Sequence, residues 1–203
     1  LAMVGALGAS ALDSVGIMGQ PEMVMLIFCR ALSIAVTAII ARRHGESEVD
    51  GMNAVLKQSI LLNFLIYVPL LAICFFNLEH ILRFTGAEDG YIETAVWYGR
   101  FVVISLIFQS FSQIVGAALI GYGNTKVIFK SNVVGNILNT IMNFFLIYGI
   151  GFFPELGVMG AGVSTMISSA VIAILLLRTI SQHTTTGLTL RHPSKWKFER
   201  TVL

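Results

Sequence analysis

Asn132, Asn136, Asn139 and Asn143 follow one another at spacings of four, three and four inside a run that is otherwise oily, SNVVGNILNTIMNFFLIYG. On a helix of 3.6 residues per turn these spacings place all four amides on one narrow stripe. Amide oxygens are hard, neutral donors of the kind a small alkali cation accepts. Asn139 and Asn143 lie one turn apart, so their side chains can converge on one point. Thr165, within VSTMISS of the next apolar segment, adds a hydroxyl from across the helix pair. Two readings stand. The amides are packing glue, where one polar side chain contributes about 0.6 kcal/mol, or Asn136, Asn139, Asn143 and Thr165 line a polar cavity that binds a cation. Four amides on one stripe need more partners than packing usually provides, which favours the cavity.

A second polar face runs through Ser105, Gln109, Ser112 and Gln113, at spacings of three and four. Helix packing is its better reading, and Gln109 and Gln113 are also candidates for a substrate cavity. Arg30, in MLIFCRALSIAV, lies near the middle of an apolar segment, where an ionised side chain costs at least about 2.5 kcal/mol. It must face protein or water. Glu22 is the nearest acid in sequence, but eight residues put it about 12 Å away along the helix axis, so a direct pair is doubtful. Cavity lining and snorkelling of Arg30 remain evenly matched. Met142, with Met23, Met25, Phe101, Phe108 and Phe111, would suit an adaptable drug-binding wall, although Met and Phe at helical spacing more often face core or lipid.

The elements that carry these residues follow from composition. The chain has 203 residues, 56% of them hydrophobic and only 12% charged, with a mean hydropathy of +0.82. Such usage lies outside that of soluble domains and marks an integral membrane protein. Several segments reach the roughly 20 apolar residues needed to cross a bilayer, and no long alternating pattern of barrel strands is present. The expected fold is therefore all-α, a polytopic transmembrane helix bundle. Spans are expected near 1–8 (truncated), 14–41, 53–76, 93–119, 127–148 and 157–178, joined by short links. The opening at Leu1 within an apolar run, and the close at Leu203 after a basic segment, read as a piece of a longer protein without a removable signal peptide.

Ten of the thirteen basic residues, including Arg42, Arg43, Lys57, Lys126, Lys130 and Arg178, collect at one set of helix ends. Arg83 and Arg100 fall at the other, among Glu79, Glu88, Asp89, Glu93 and Glu155 and the aromatics Tyr91, Trp97, Tyr98, Phe152 and Phe153. Because basic loops stay cytoplasmic, the N-terminus and the tail from Ser181 should both lie inside. That tail, with Trp196, reads as an inside-facing linker.

Other chemistries find little support. GYGNTK lacks the spacing of a phosphate-binding loop and follows no strand, no H-E-x-x-H or G-x-S-x-G occurs, and the four histidines lie in loops, at helix ends or in the tail. No enzyme, no cofactor and no nucleic-acid partner is expected. Cys29 and Cys74 read as small reduced hydrophobes. Gly116, Gly121 and Gly123, and Gly157, Gly160 and Gly162, permit close backbone approach at helix ends.

Five stretches, in order MVGALG, IIARRHGESEVDGMNAVLKQ, ILRFTGAEDGYIETAVWYGR, GYGNTK and GNILNTIMNFFLIYGIGFFPELGVMGAGVST, resemble the N-terminal half of the multidrug and toxic compound extrusion (MATE) family. The resemblance covers essentially the whole chain. It implies one lobe of a two-lobe, twelve-helix exporter that rocks around a central cavity. Residues 1–180 would form the N-terminal transmembrane lobe, and 181–203 a cytoplasmic basic linker towards a missing second lobe. The activity implied is export of amphipathic cationic drugs or toxins across the cell inner membrane, in exchange for sodium ions or protons. Family cation-site positions match Asn139, Asn143 and Thr165. Many members carry aspartate where this chain has Asn143, and an amide is not protonated near neutral pH, which tilts the coupling ion towards sodium. The family's first helix also carries an aspartate just upstream of Leu1, so a central carboxylate would lie outside this sequence. The alternatives are a lipid-linked precursor flippase of related architecture and a non-transporting membrane scaffold subunit.

Overall fold

In hydrocarbon a backbone must satisfy its own polar groups, and for long apolar runs broken by short charged turns the helix is the available answer. The computed structural model describes residues 2–150, 154–182 and 188–190, and within them every regular element is a helix. In chain order these are α1 (Ala2–Gly5), α2 (Ala9–Gly16), α3 (Gly19–Gly45), α4 (Val49–Phe76), α5 (Leu78–Phe84), α6 (Ile92–Gly121), α7 (Thr125–Tyr148) and α8 (Val158–Ser181). Ile17 and Met18, between α2 and α3, keep right-handed helical angles, so Ala9–Gly45 reads as one span of 37 residues with a weak joint. That run, α4, α6 and α8 are long and apolar enough to cross a membrane. Helix α7, at 24 residues, has the length, about 36 Å, but its asparagines dilute its hydropathy and it is not among these four.

Helix α6 is the post around which the others pack, with α8, α3 and α4 against it and the short α5 across one end. Its small residues make this possible. A Cβ on Gly99 would stand 2.8 Å from Leu78 of α5, and one on Gly121 would stand 2.7 Å from the carbonyl oxygen of Thr37 on α3. One core cluster joins Met25, Tyr67, Leu71, Leu78 and Leu106 across α3, α4, α5 and α6, and a second joins Ile40, Leu56, Val115 and Leu176 towards the other end. Polar ties cross the same contacts. The Tyr67 hydroxyl donates to the Met25 carbonyl at 2.7 Å, Asn63 Nδ2 donates to Ser110 Oγ at 3.1 Å, and Thr37 Oγ1 donates to the Ala117 carbonyl at 3.1 Å. Each gives a buried polar group a partner, as an apolar setting demands. Large apolar side chains such as Phe28, Leu65 and Phe129 remain on the outer surface, which is the surface a bilayer solvates.

Helix α7 stops at Gly149, whose left-handed φ of 62° lets its N–H reach back to the Phe145 carbonyl. A Cβ there would also sit 2.8 Å from the Glu155 backbone, so the turn into α8 requires glycine on two grounds. Beyond α8, Leu188 and Leu190 pack into the second core cluster, and the Thr189 N–H donates to the buried Asn53 Oδ1 of α4 at 2.7 Å. The basic remainder of the tail, with Trp196, lies outside the described residues, as do Phe152 and Phe153.

Candidate functional site

Helices α7 and α8 come together because glycine sits at their contact. At Gly135 a Cβ would collide with the Ile172 side chain, and at Gly160 it would lie 2.6 Å from the Leu146 carbonyl oxygen. This close approach brings the amides of α7 onto the hydroxyls of α8. Asn143 Nδ2 donates to Asn139 Oδ1 at 3.0 Å, and Asn139 Nδ2 donates to Ser168 Oγ at 3.2 Å. Ser164 Oγ donates to Asn143 Oδ1, and Ser168 Oγ passes its own proton to the Thr165 carbonyl at 3.0 Å. The Thr165 hydroxyl donates to the Ala161 carbonyl at 2.8 Å, which leaves its lone pairs free to face outward. The result is a neutral chain of amides and hydroxyls in which each amide oxygen keeps a second lone pair.

This chain borders a cavity of about 610 Å³ enclosed by α3, α6, α7 and α8. Asn132, Asn136 and Asn139 line it from α7, Thr165, Ser168 and Ser169 from α8, Gln109, Ser112 and Gln113 from α6, and Glu22, Ser33 and Thr37 from α3. The asparagine stripe and the second polar face of α6 thus meet across one space. Gln109 turns its amide onto Ser105 Oγ of its own helix at 3.0 Å, whereas the buried Ser112 Oγ has no hydrogen-bond partner.

Asn143 does not line the cavity and reaches it only through Asn139. Arg30 is exposed and Met142 half-buried, and neither is among the residues that line this cavity. Met23 is exposed and Met25 buried, and Phe101, Phe108 and Phe111 are half-buried, but none of the five lines the cavity. Type and spacing single out neither Ser164, Ser168 and Ser169 of α8 nor Glu22, Ser33 and Thr37 of α3. Ser164 and Ser168 lie one turn apart, a signal that was legible in VSTMISS beside Thr165. Glu22, the single ionisable residue among the described residues of the cavity wall, carried no such signal, because one acid near a helix start says nothing about which face it occupies.

The MatE family model matches residues 1–145. The chain belongs to the MatE family. Relatives include the multidrug resistance protein NorM of Vibrio cholerae, 26% identical over 175 residues that make up 86% of this chain and 38% of that protein. The probable multidrug resistance protein NorM of Thermotoga maritima is 26% identical over the whole of this chain and 44% of its own length. This MatE chain therefore spans well under half the length of the curated relatives it matches. Among solved structures, MATE in the bent conformation superposes with a TM-score of 0.89 at 23% identity, over 98% of this chain and 44% of that one. An outward-facing and an inward-facing multidrug resistance MATE family transporter give 0.88 and 0.89. At such identity the likeness concerns the fold, and the near-equal scores show that the MatE helix arrangement seen here is shared by both of those states.

Proposed function

We propose that this chain is the ion-coupling lobe, residues 1–180 with a cytoplasmic linker at 181–203, of a secondary active exporter in the cell inner membrane. The complete protein would expel amphipathic cationic drugs or toxins in exchange for sodium, or protons, by alternating access between this lobe and a second one. The observation that carries the proposal is the Asn143–Asn139–Ser168 chain bordering a polar cavity between α3, α6, α7 and α8. Neutral oxygens at that density suit an alkali cation better than a proton, since amides and hydroxyls do not titrate near neutral pH. Ion entry would favour one packing of α7 on α8, and the lobes would convert that preference into movement. A single inward charge gains about 2.3 kcal/mol per 100 mV, a concentrating factor of about fifty. The family membership and the multidrug resistance names of the relatives support the substrate class. Against a flippase for pyrophosphate-linked lipids, no Lys or Arg is among the described residues that line this cavity, so a polyanion finds no counter-charge there.

One observation favours a second reading. The amides of Asn139 and Asn143 already satisfy one another and α8, as a purely structural zip between helices would. Thermal unfolding of the complete protein in detergent separates the two. Sodium at constant ionic strength, exchanged against choline, raises the Tm of an ion-binding lobe and leaves the Asn139→Leu variant unmoved. A scaffold shows no sodium dependence in either protein.

A further inference from the structure

Two arginines at the end of the bundle that carries α5 have different surroundings. Arg83 is exposed and holds Glu79 at 3.1 Å and Asp89 at 2.7 Å. Arg100, eight residues into α6, is half-buried and pairs with no carboxylate among the described residues. Its guanidinium carbon instead lies 5.0 Å from the centre of the Trp97 ring and 5.7 Å from that of Phe75 on α4, and its Nε is buried without any acceptor. Glu93 is the nearest acid behind it on α6, seven residues and about 10 Å away along the axis.

Aromatic faces attract a guanidinium but accept none of its N–H bonds, which all lie in its plane and point outward. A partly desolvated cation that keeps its donors unfilled is therefore matched to an anion from outside the chain. Depth identifies the source. Helix α6 has 30 residues; at about 45 Å it exceeds a ~30 Å hydrocarbon core by about 7 Å at each end. Arg100, about 12 Å from the first residue of α6, then lies about 5 Å below the interface, within snorkelling reach of the headgroup layer. Around it Phe76 is 82% exposed and Trp97 43% exposed, an apolar rim at the level where glycerol and the first methylenes lie.

We propose that Arg100, clasped by Trp97 and Phe75, is a binding site for the phosphodiester of a membrane phospholipid, with the guanidinium edge on phosphate oxygens and the aromatic rim on the glycerol and acyl chains. The lipid bridges α4 and α6 on their outer side and is independent of the ion and drug sites. The shared chemistry of a lipid headgroup and a free phosphate calls for three probes against the complete protein in detergent. These are dioleoyl phosphatidylglycerol, dioleoylglycerol with the same chains but no phosphate, and inorganic phosphate, read by native mass spectrometry and by Tm. Phosphatidylglycerol is expected to stay bound and raise the Tm, and the other two to do neither. Arg100→Gln weakens phosphatidylglycerol binding about tenfold, the equivalent of one charge-assisted hydrogen bond. Arg100→Lys, which keeps the charge and loses the fork and the ring stacking, weakens it less and serves if the glutamine variant does not fold. Parental affinity in either variant, or equal binding of dioleoylglycerol, overturns the site. Equal stabilisation by inorganic phosphate alone overturns its assignment to a lipid.

Discussion

Asn143 donates its side-chain amide to Asn139 Oδ1 at 3.0 Å, one turn back on the same helix, and Asn139 in turn donates to Ser168 on α8. Two residues four apart thus behave as one unit that reaches across a helix contact. Only Asn139 of the pair borders the cavity, and the hydrogen bond from Asn143 fixes the orientation of its amide. Converting Asn143 to Asp places a titratable carboxylate behind Asn139. Drug efflux by the complete protein, measured against sodium and against pH, is expected to become pH-dependent in that variant while the parent follows sodium.

The α7–α8 contact is a backbone contact, and it should tolerate no added volume. A methyl on Gly160 would meet the Leu146 carbonyl oxygen at 2.6 Å, and a carbonyl cannot step aside as a flexible side chain does. Gly160→Ala is expected to destabilise the protein by about 1–3 kcal/mol. Gly116→Ala, on the α6 wall of the cavity with nothing within 4 Å of its Cβ, is neutral or stabilising by up to about 1 kcal/mol. Melting curves of the two purified variants check the contrast.

The cavity predicts a pattern of chemical access. In a background without Cys29 and Cys74, Asn136→Cys should react with a water-soluble thiol reagent, and a transported cationic dye should slow the reaction. Ile114→Cys, on the buried side of the same α6 that supplies Gln113, should stay unlabelled. Absence of labelling at Asn136→Cys would mean that the space between α3, α6, α7 and α8 is closed to water.

Among the contacts that hold the segment after α8 is a side-chain hydrogen bond that mutation can remove. Asn53 is fully buried, and its Oδ1 accepts the Thr189 N–H at 2.7 Å. Asn53→Leu leaves that N–H without its partner and is expected to lower stability by about 1–3 kcal/mol. Limited proteolysis of intact protein should then cut the chain after α8 sooner than in the parent.

Much of this architecture was legible in the chain because helical periodicity transmits faces faithfully. The spacing of Asn132, Asn136 and Asn139 put them on one stripe, and all three line the cavity. Gln109 and Gln113 followed the same logic to the opposite wall. Partners across helices were less legible, since Thr165 was chosen by type while Ser164 and Ser168 beside it carry the bonds to α7. Single residues were least legible. Arg30 had no periodic companions to show which way its face turns, and it is exposed and absent from the cavity wall. Glu22 had none either, and it faces the cavity. The same asparagines that form the stripe on α7 also keep that helix out of the set apolar enough to be recognised as spans.

The central claim is that the Asn139–Asn143 unit handles the coupling ion. Its most direct test is sodium-driven dye efflux from proteoliposomes containing the complete protein, compared with Asn139→Leu and Asn143→Leu variants of the same melting temperature. The account predicts that both variants lose sodium-stimulated efflux while still binding dye. Unchanged efflux in either variant would contradict it.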